Sequence, residues 1–107
     1  FGSVLGLERH RRLVEMGERN LTQFNTYKRC KIQQANASLG MPGEKFDRIL
    51  VSASVDEVPK ELFEQLKIGG VLVIPVQESI YRFEKVSVDE VKQERYQGFR
   101  FVPLIYK

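Results

Sequence analysis

Glu8 is the residue whose type and position best suit a chemical role. It ends an apolar segment, residues 3–8, and a helical pattern runs from Arg9 to about Phe24. A carboxylate at the carboxyl end of a strand can accept both hydrogen bonds of a ribose diol, so this arrangement indicates a nucleoside-binding sheet. The alternative is that Glu8 only caps the helix, whose positive end favours an acid. The residues alone leave both interpretations open.

Ser52 and Ser54 are the second pair of candidate residues. They end an apolar segment, Phe46–Ser54, and ligands of parallel sheets bind at the carboxyl ends of the strands. Their hydroxyl groups can bind a polar ligand there. Equally, both hydroxyls can serve only the turn that follows the strand.

A β-α-β unit is predicted to position the two serines. Phe46–Ser54 and residues 70–76 are apolar on consecutive positions, which is typical of parallel strands covered on both faces. Between them, Pro59 suits the first turn of a helix that runs to about Leu66 or Lys67 and stops at Gly69-Gly70. The pattern therefore predicts an α/β fold.

The other segments predict a mixed sheet. Residues 28–35 alternate, with Cys30 and Ile32 on one face, and indicate an edge strand, whereas residues 36–45 are predicted to be a loop. Residues 79–88 and 90–96 alternate and predict antiparallel C-terminal strands. A last strand over residues 99–106 is expected inside the sheet, with a bend at Pro103.

Composition indicates one ordinary globular domain of 107 residues, with 29% charged and 42% hydrophobic residues. No apolar run approaches the roughly 20 residues of a membrane span. The net charge of +3 is too small to identify a partner, and the basic clusters at residues 9–12 and 28–31 are either solvated charge or phosphate contacts.

A single cysteine, Cys30, favours a reducing, cytoplasmic location. Because the sequence starts at Phe1-Gly2 without a methionine, we expect it to be part of a longer protein.

No arrangement of residues predicts acid–base, nucleophilic or metal chemistry. The sequence holds one histidine and one cysteine, so no histidine and cysteine set has metal-ligand spacing. No serine, histidine and aspartate set or paired carboxylates stand out, and His10 is predicted to lie on a helix face. We therefore expect no catalytic side chain and no metal site.

Several segments, taken in order, resemble the C-terminal half of the protein-L-isoaspartate O-methyltransferase family, and the resemblance covers nearly the whole chain. They are Val4-Leu5-Gly6-Leu7-Glu8-Arg9, Phe46-Asp47-Arg48-Ile49-Leu50-Val51-Ser52-Ala53-Ser54, Glu64-Gln65-Leu66-Lys67-Ile68-Gly69-Gly70, Val73-Ile74-Pro75-Val76 and Arg100-Phe101-Val102-Pro103-Leu104-Ile105. The resemblance implies a partial, Rossmann-like methyltransferase fold that uses S-adenosylmethionine.

The resemblance also implies roles for the candidate residues. Glu8 would hold the ribose of the cofactor, and Asn36 and Ala37 would lie at the adenine, where the family has Gly-Asp-Gly and this sequence has Ala-Asn-Ala. Asn36 can equally be a turn former. Ser52 and Ser54 would contact an isoaspartyl substrate. An already ionised carboxylate and an activated methyl group need alignment rather than a general base.

The family's glycine-rich cofactor loop does not occur in these residues, and the family's expected strand order, 3-2-1-4-5-7-6, would leave a gap in the sheet. A further segment of the same protein, another chain or closure of the sheet would fill it. Three functions follow: a methyltransferase that repairs isoaspartyl residues in proteins, a non-catalytic methyltransferase-like module, or an RNA methyltransferase that uses the cluster at residues 9–12. By itself the chain is expected to be inactive.

Overall fold

The computed structural model describes residues 3–24, 29–35 and 39–105. They fold as two compact units, one within residues 1–40 and one formed by residues 41–105. Each unit contains parallel strands joined through a helix, which confirms the predicted α/β class.

The first unit consists of strand β1 (Val4–Glu8), helix α1 (Arg11–Phe24) and strand β2 (Cys30–Gln34). β1 and β2 form a parallel two-stranded sheet. Val14 of α1 is buried, and Gly17 lies so close to β2 that a Cβ atom there would be 2.8 Å from Cδ1 of Ile32. The glycine therefore weakens the helix but permits close packing.

The second unit consists of strand β3 (Phe46–Leu50), helix α2 (Lys60–Glu64) and strands β4 (Leu66–Val76), β5 (Ser79–Lys85) and β6 (Val91–Gln97). Its strands lie in the order β3-β4-β5-β6. β3 and β4 are parallel, whereas β5 and β6 are each antiparallel to the preceding strand. The predicted β-α-β unit and antiparallel C-terminal strands are confirmed.

Gly69-Gly70 does not stop α2, contrary to the prediction, because the helix ends at Glu64 and both glycines lie inside β4. Between the pairs Phe46–Leu66 and Arg48–Val71, β3 advances by two positions and β4 by five. The extra residues form an irregularity in which Gly69 has a φ of 85°, a value that glycine adopts at little cost. At Gly70 a Cβ atom would be 3.0 Å from the carbonyl oxygen of Asp47.

Two further strand predictions are wrong. β3 is not covered on both faces: it is an edge strand of the described sheet, and Leu50 is 76% exposed. Residues 99–105 form no strand; Pro103 makes an isolated parallel bridge with Ser54. The expected strand order placed the last segment between two strands that correspond to β4 and β5. Instead, β4 and β5 pair directly with each other.

The core of the second unit lies between α2 and the sheet. Leu66, Leu72 and Ile74 are fully buried, and the ring of Phe63 meets the ring of Phe83 edge to face, with the centroids 5.1 Å apart. Lys85 is buried too: its Nζ donates hydrogen bonds to the carbonyl oxygens of Phe63 at 2.9 Å and Leu66 at 3.1 Å. The carbonyl group of Phe63, in the last turn of α2, and that of Leu66, at the start of β4, thus receive donors from β5.

Candidate functional site

Glu8 lies at the carboxyl end of β1, as predicted. It is paired in register with Gln34 of β2, and the backbone N–H of Ala35 donates a 2.8 Å hydrogen bond to the carbonyl oxygen of Glu8. Since β1 and β2 are parallel, their carboxyl ends lie side by side. Asn36 follows directly after Ala35 in the sequence, but Asn36 and Ala37 lie outside the described residues, so their predicted place at the adenine stays a prediction.

The carboxylate of Glu8 makes one contact within the described residues. Its Oε1 accepts a 3.0 Å hydrogen bond from the backbone N–H of His10, just before α1 begins at Arg11. The alternative interpretation, in which Glu8 serves the helix end, therefore has a physical basis. The side chain is only half-buried, and no described donor contacts its Oε2. One carboxylate oxygen is accordingly available for a ligand.

His10 precedes α1 rather than lying on its face. Its carbonyl oxygen accepts the backbone N–H groups of Leu13 and Val14, both at 3.0 Å, so His10 occupies the N-terminal cap position. Its Nε2 lies 3.1 Å from Nη2 of Arg9. The predicted helix-face position is wrong because the helix starts two residues later than its pattern indicated.

Ser52 and Ser54 follow β3, and the structure separates their roles. Ser54 is half-buried, and its Oγ lies 3.3 Å and 3.4 Å from the carbonyl oxygens of Phe101 and Val102. Its backbone N–H also donates to Val102 at 2.7 Å, and its carbonyl oxygen accepts from Leu104 at 2.7 Å. Ser54 therefore holds the segment 101–104, whereas Ser52 is exposed and has no hydrogen-bond partner among the described residues. Of the two, Ser52 has the available hydroxyl.

A cleft of about 680 Å³ lies in the second unit, beside the segment that follows Ser54. Asp56 and Glu57 line it together with residues of β5 and β6. Six of the lining residues carry charge or aromatic rings: Asp56, Glu57, Glu78, Tyr81, Phe83 and Arg95. This cleft was not among the sites predicted from the sequence. The local signal for it is the pair Asp56-Glu57, which follows Ser54 after one intervening residue.

Metal-ligand clusters and membrane-spanning helices can be assessed within the described residues. Within them, no group of three or more histidine, cysteine, aspartate or glutamate side chains is arranged to hold a metal ion. No helix in that part of the chain has the length and apolar character needed to cross a membrane.

Comparison with known proteins supports the resemblance. The family model described as protein-L-isoaspartate(D-aspartate) O-methyltransferase matches residues 1–107. The chain is 37% identical to a protein-L-isoaspartate O-methyltransferase of Methanopyrus kandleri, with 97% of this chain and 48% of the relative covered. It is 39% identical to protein-L-isoaspartate O-methyltransferase 1 of Archaeoglobus fulgidus, with 99% and 50% covered. The chain thus spans about half the length of these relatives.

Solved structures show the same fold. A Plasmodium falciparum protein described as a protein-L-isoaspartate O-methyltransferase, in complex with S-adenosyl-L-homocysteine, superimposes with a TM-score of 0.83 and 27% identity. The match covers 98% of this chain and 53% of that one. A second structure, a protein-L-isoaspartate O-methyltransferase, matches with a TM-score of 0.82 and 25% identity, over 96% of this chain and 34% of that chain.

Proposed function

This chain belongs to the protein-L-isoaspartate(D-aspartate) O-methyltransferase family, and from that premise we propose what it does. Residues 1–107 are the C-terminal portion of a methyltransferase domain. The complete domain transfers a methyl group from S-adenosylmethionine to an isoaspartyl carboxylate in damaged proteins. The family match over residues 1–107 carries the proposal. Since the relatives are about twice as long, the remaining part of such a domain completes both the sheet and the activity.

The available oxygen of Glu8 supports the proposed cofactor site. A half-exposed carboxylate at the carboxyl ends of β1 and β2 suits a ribose diol, which presents two hydroxyl donors. Asn36 and Ala37 would lie at the adenine, with Asn36 accepting through its side-chain oxygen. Bound S-adenosylmethionine would supply an activated sulfonium methyl group. The residues of this chain would hold its nucleoside.

Ser52 and Ser54 support the proposed substrate site in different ways. Ser52 offers a hydroxyl donor to the substrate carboxylate, and Ser54 anchors the segment 101–104 beside it. The carboxylate is ionised near neutral pH, so no base is required. In the transfer, the bond between sulfur and the methyl carbon breaks as a bond from a carboxylate oxygen forms, which yields a methyl ester. Catalysis then depends on alignment of the two reactants.

Isoaspartyl peptides and proteins are the proposed partners, and the single Cys30 supports a cytoplasmic location.

A second candidate function is a non-catalytic methyltransferase-like binding module. One observation favours it: the backbone N–H of His10 already occupies one oxygen of Glu8. The sequence Ala35-Asn36-Ala37, which replaces the family's Gly-Asp-Gly, points the same way.

Titration calorimetry with S-adenosyl-L-homocysteine tests the cofactor site. Glu8→Gln removes a charged acceptor of the ribose, and we expect binding to weaken by about 1 to 3 kcal/mol. Glu18→Gln, an exposed position on α1, is the matched control and should bind like the unchanged chain. Equal affinities of the Glu8 and Glu18 variants would refute the ribose assignment.

A methylation assay with an isoaspartyl peptide tests the enzyme itself. We expect no methyl transfer by the 107-residue chain alone, and transfer when the N-terminal half of the Archaeoglobus fulgidus relative is added. This result would support a site divided between the two halves. Cofactor binding without transfer in the combined sample would favour the non-catalytic module.

A further inference from the structure

The cleft in the second unit is negative, although the whole chain carries a net charge of +3. Three carboxylates line it, those of Asp56, Glu57 and Glu78, against one guanidinium group, that of Arg95. The local sign is therefore opposite to that of the protein. A cationic group is the ligand that such a surface attracts.

Two of these carboxylates are available to a ligand. Asp56 and Glu57 are exposed and make no hydrogen bond or ion pair with any other described residue. Glu78 lies 3.9 Å from Arg100 in a pair whose side chains are 75% and 91% exposed, and such pairs contribute little. Arg95 is fixed by a 3.2 Å hydrogen bond from its Nε to the buried hydroxyl of Ser79.

Aromatic rings form the apolar side of the cleft. Tyr81 and Phe83 are stacked, with their centroids 5.6 Å apart and an angle of 9° between the ring planes. The edge-to-face contact between Phe63 and Phe83 supports this stack from the core. An aromatic surface suits the methylene stem of a long basic side chain and attracts its charged end.

The cleft lies next to the proposed substrate site. Asp56 follows Ser54 by two residues and Glu57 by three, so their Cα atoms lie at most about 7 Å and 11 Å from that of Ser54. These spans correspond to two or three residues of an extended peptide. The volume of about 680 Å³ is also ample, because ligand pockets usually measure roughly 300 to 1,000 Å³.

From this geometry we propose that the cleft is a specificity site for a lysine or arginine side chain of the substrate polypeptide. The basic residue lies within a few positions of the isoaspartyl residue, with its stem on Tyr81 and its cation at Asp56 and Glu57. The inference rests on the proposed function, since it assigns the substrate class of that site. It also implies that acidic residues at those positions are disfavoured.

Fluorescence anisotropy with four labelled peptides tests the cleft on the 107-residue chain. The peptides contain either isoaspartate or aspartate, and either lysine or the uncharged isostere norleucine two residues away. We expect the lysine peptides to bind about threefold to tenfold more tightly than the norleucine peptides, and the ratio to fall as salt is raised. The double variant Asp56→Asn, Glu57→Gln should abolish this ratio.

The chain offers a control with the same two residue types in the same order. The variant Asp89→Asn, Glu90→Gln removes the same charge from exposed positions between β5 and β6, outside the cleft, and should keep the ratio. Equal binding of lysine and norleucine peptides, or no binding of either, would overturn the proposal. If isoaspartate and aspartate peptides bind alike while the lysine preference persists, the substrate assignment fails but the basic side-chain site stands.

Discussion

Lys85 should be one of the most sensitive positions in the second unit. It is 8% exposed, and Lys85→Met keeps much of the aliphatic stem but removes the donors to the carbonyl oxygens of Phe63 and Leu66. A hydrogen bond to a charged group contributes roughly 1.5 to 3 kcal/mol, and buried carbonyl groups without partners add a cost. Part of this is offset, because methionine is cheaper to bury than an ammonium group. We therefore expect a loss of about 2 to 4 kcal/mol in the free energy of unfolding.

Urea unfolding followed by circular dichroism measures this loss. With a slope of about 1 to 3 kcal/mol per molar, the midpoint should fall by roughly 1 M or more. Lys92→Met, at an exposed position of β6, is the control and should change the free energy by no more than about 0.5 kcal/mol. Lys85→Gln keeps a donor group and should lie between them. Equal midpoints for Lys85→Met and Lys92→Met would refute the role of Lys85 as a cap of α2.

Two further predictions concern the other unit and the outer strands. Alanine at a helix glycine usually stabilises by about 1 kcal/mol, but Gly17→Ala should gain less, because its Cβ would lie 2.8 Å from Cδ1 of Ile32 and that side-chain end would have to shift. In the Ile32→Val background, which lacks that atom, Gly17→Ala should give the full gain in thermal unfolding, measured against Ile32→Val alone. The hydroxyl of Tyr96 donates a 2.8 Å hydrogen bond to Glu94, and this bond, followed by the negative charge of Glu94, raises the pKa of Tyr96 above its ordinary value. The stability that this bond contributes should be present below pH 10 and lost as the pH rises through the raised pKa of Tyr96. In an ultraviolet titration, Glu94→Gln should lower the pKa of Tyr96. An unchanged titration curve would contradict the role of Glu94.

Local patterns were sufficient where a feature depends on neighbours in sequence. Glu8 could be placed at the end of β1 because the change from a strand pattern to a helix pattern is visible within a few residues. Gly69-Gly70 was misplaced for the opposite reason. A helix stop and a strand irregularity both use the positive φ of glycine, so the residue type alone does not distinguish them.

Features that depend on distant neighbours could not be predicted. The apolar side chain of Leu50 indicates burial, yet its exposure depends on what pairs with and covers β3. The cleft requires the pairing of Tyr81 with Arg95, and that register follows from the hairpin rather than from either strand. The bonds of Ser54 to residues 101–104 could not be predicted either, because they join positions that lie far apart in the sequence.

The hydrogen bonds of Ser54 also have a consequence for the order of folding. The side-chain bonds join residues 47 and 48 positions apart, so they close one of the longest loops in the unit. Such contacts form late, because the entropy of loop closure must be overcome first. During synthesis the ribosome adds residues 101–104 after the whole of β3. The end of β3, where the substrate is proposed to bind, therefore reaches its final shape only after residues 101–104 have been added.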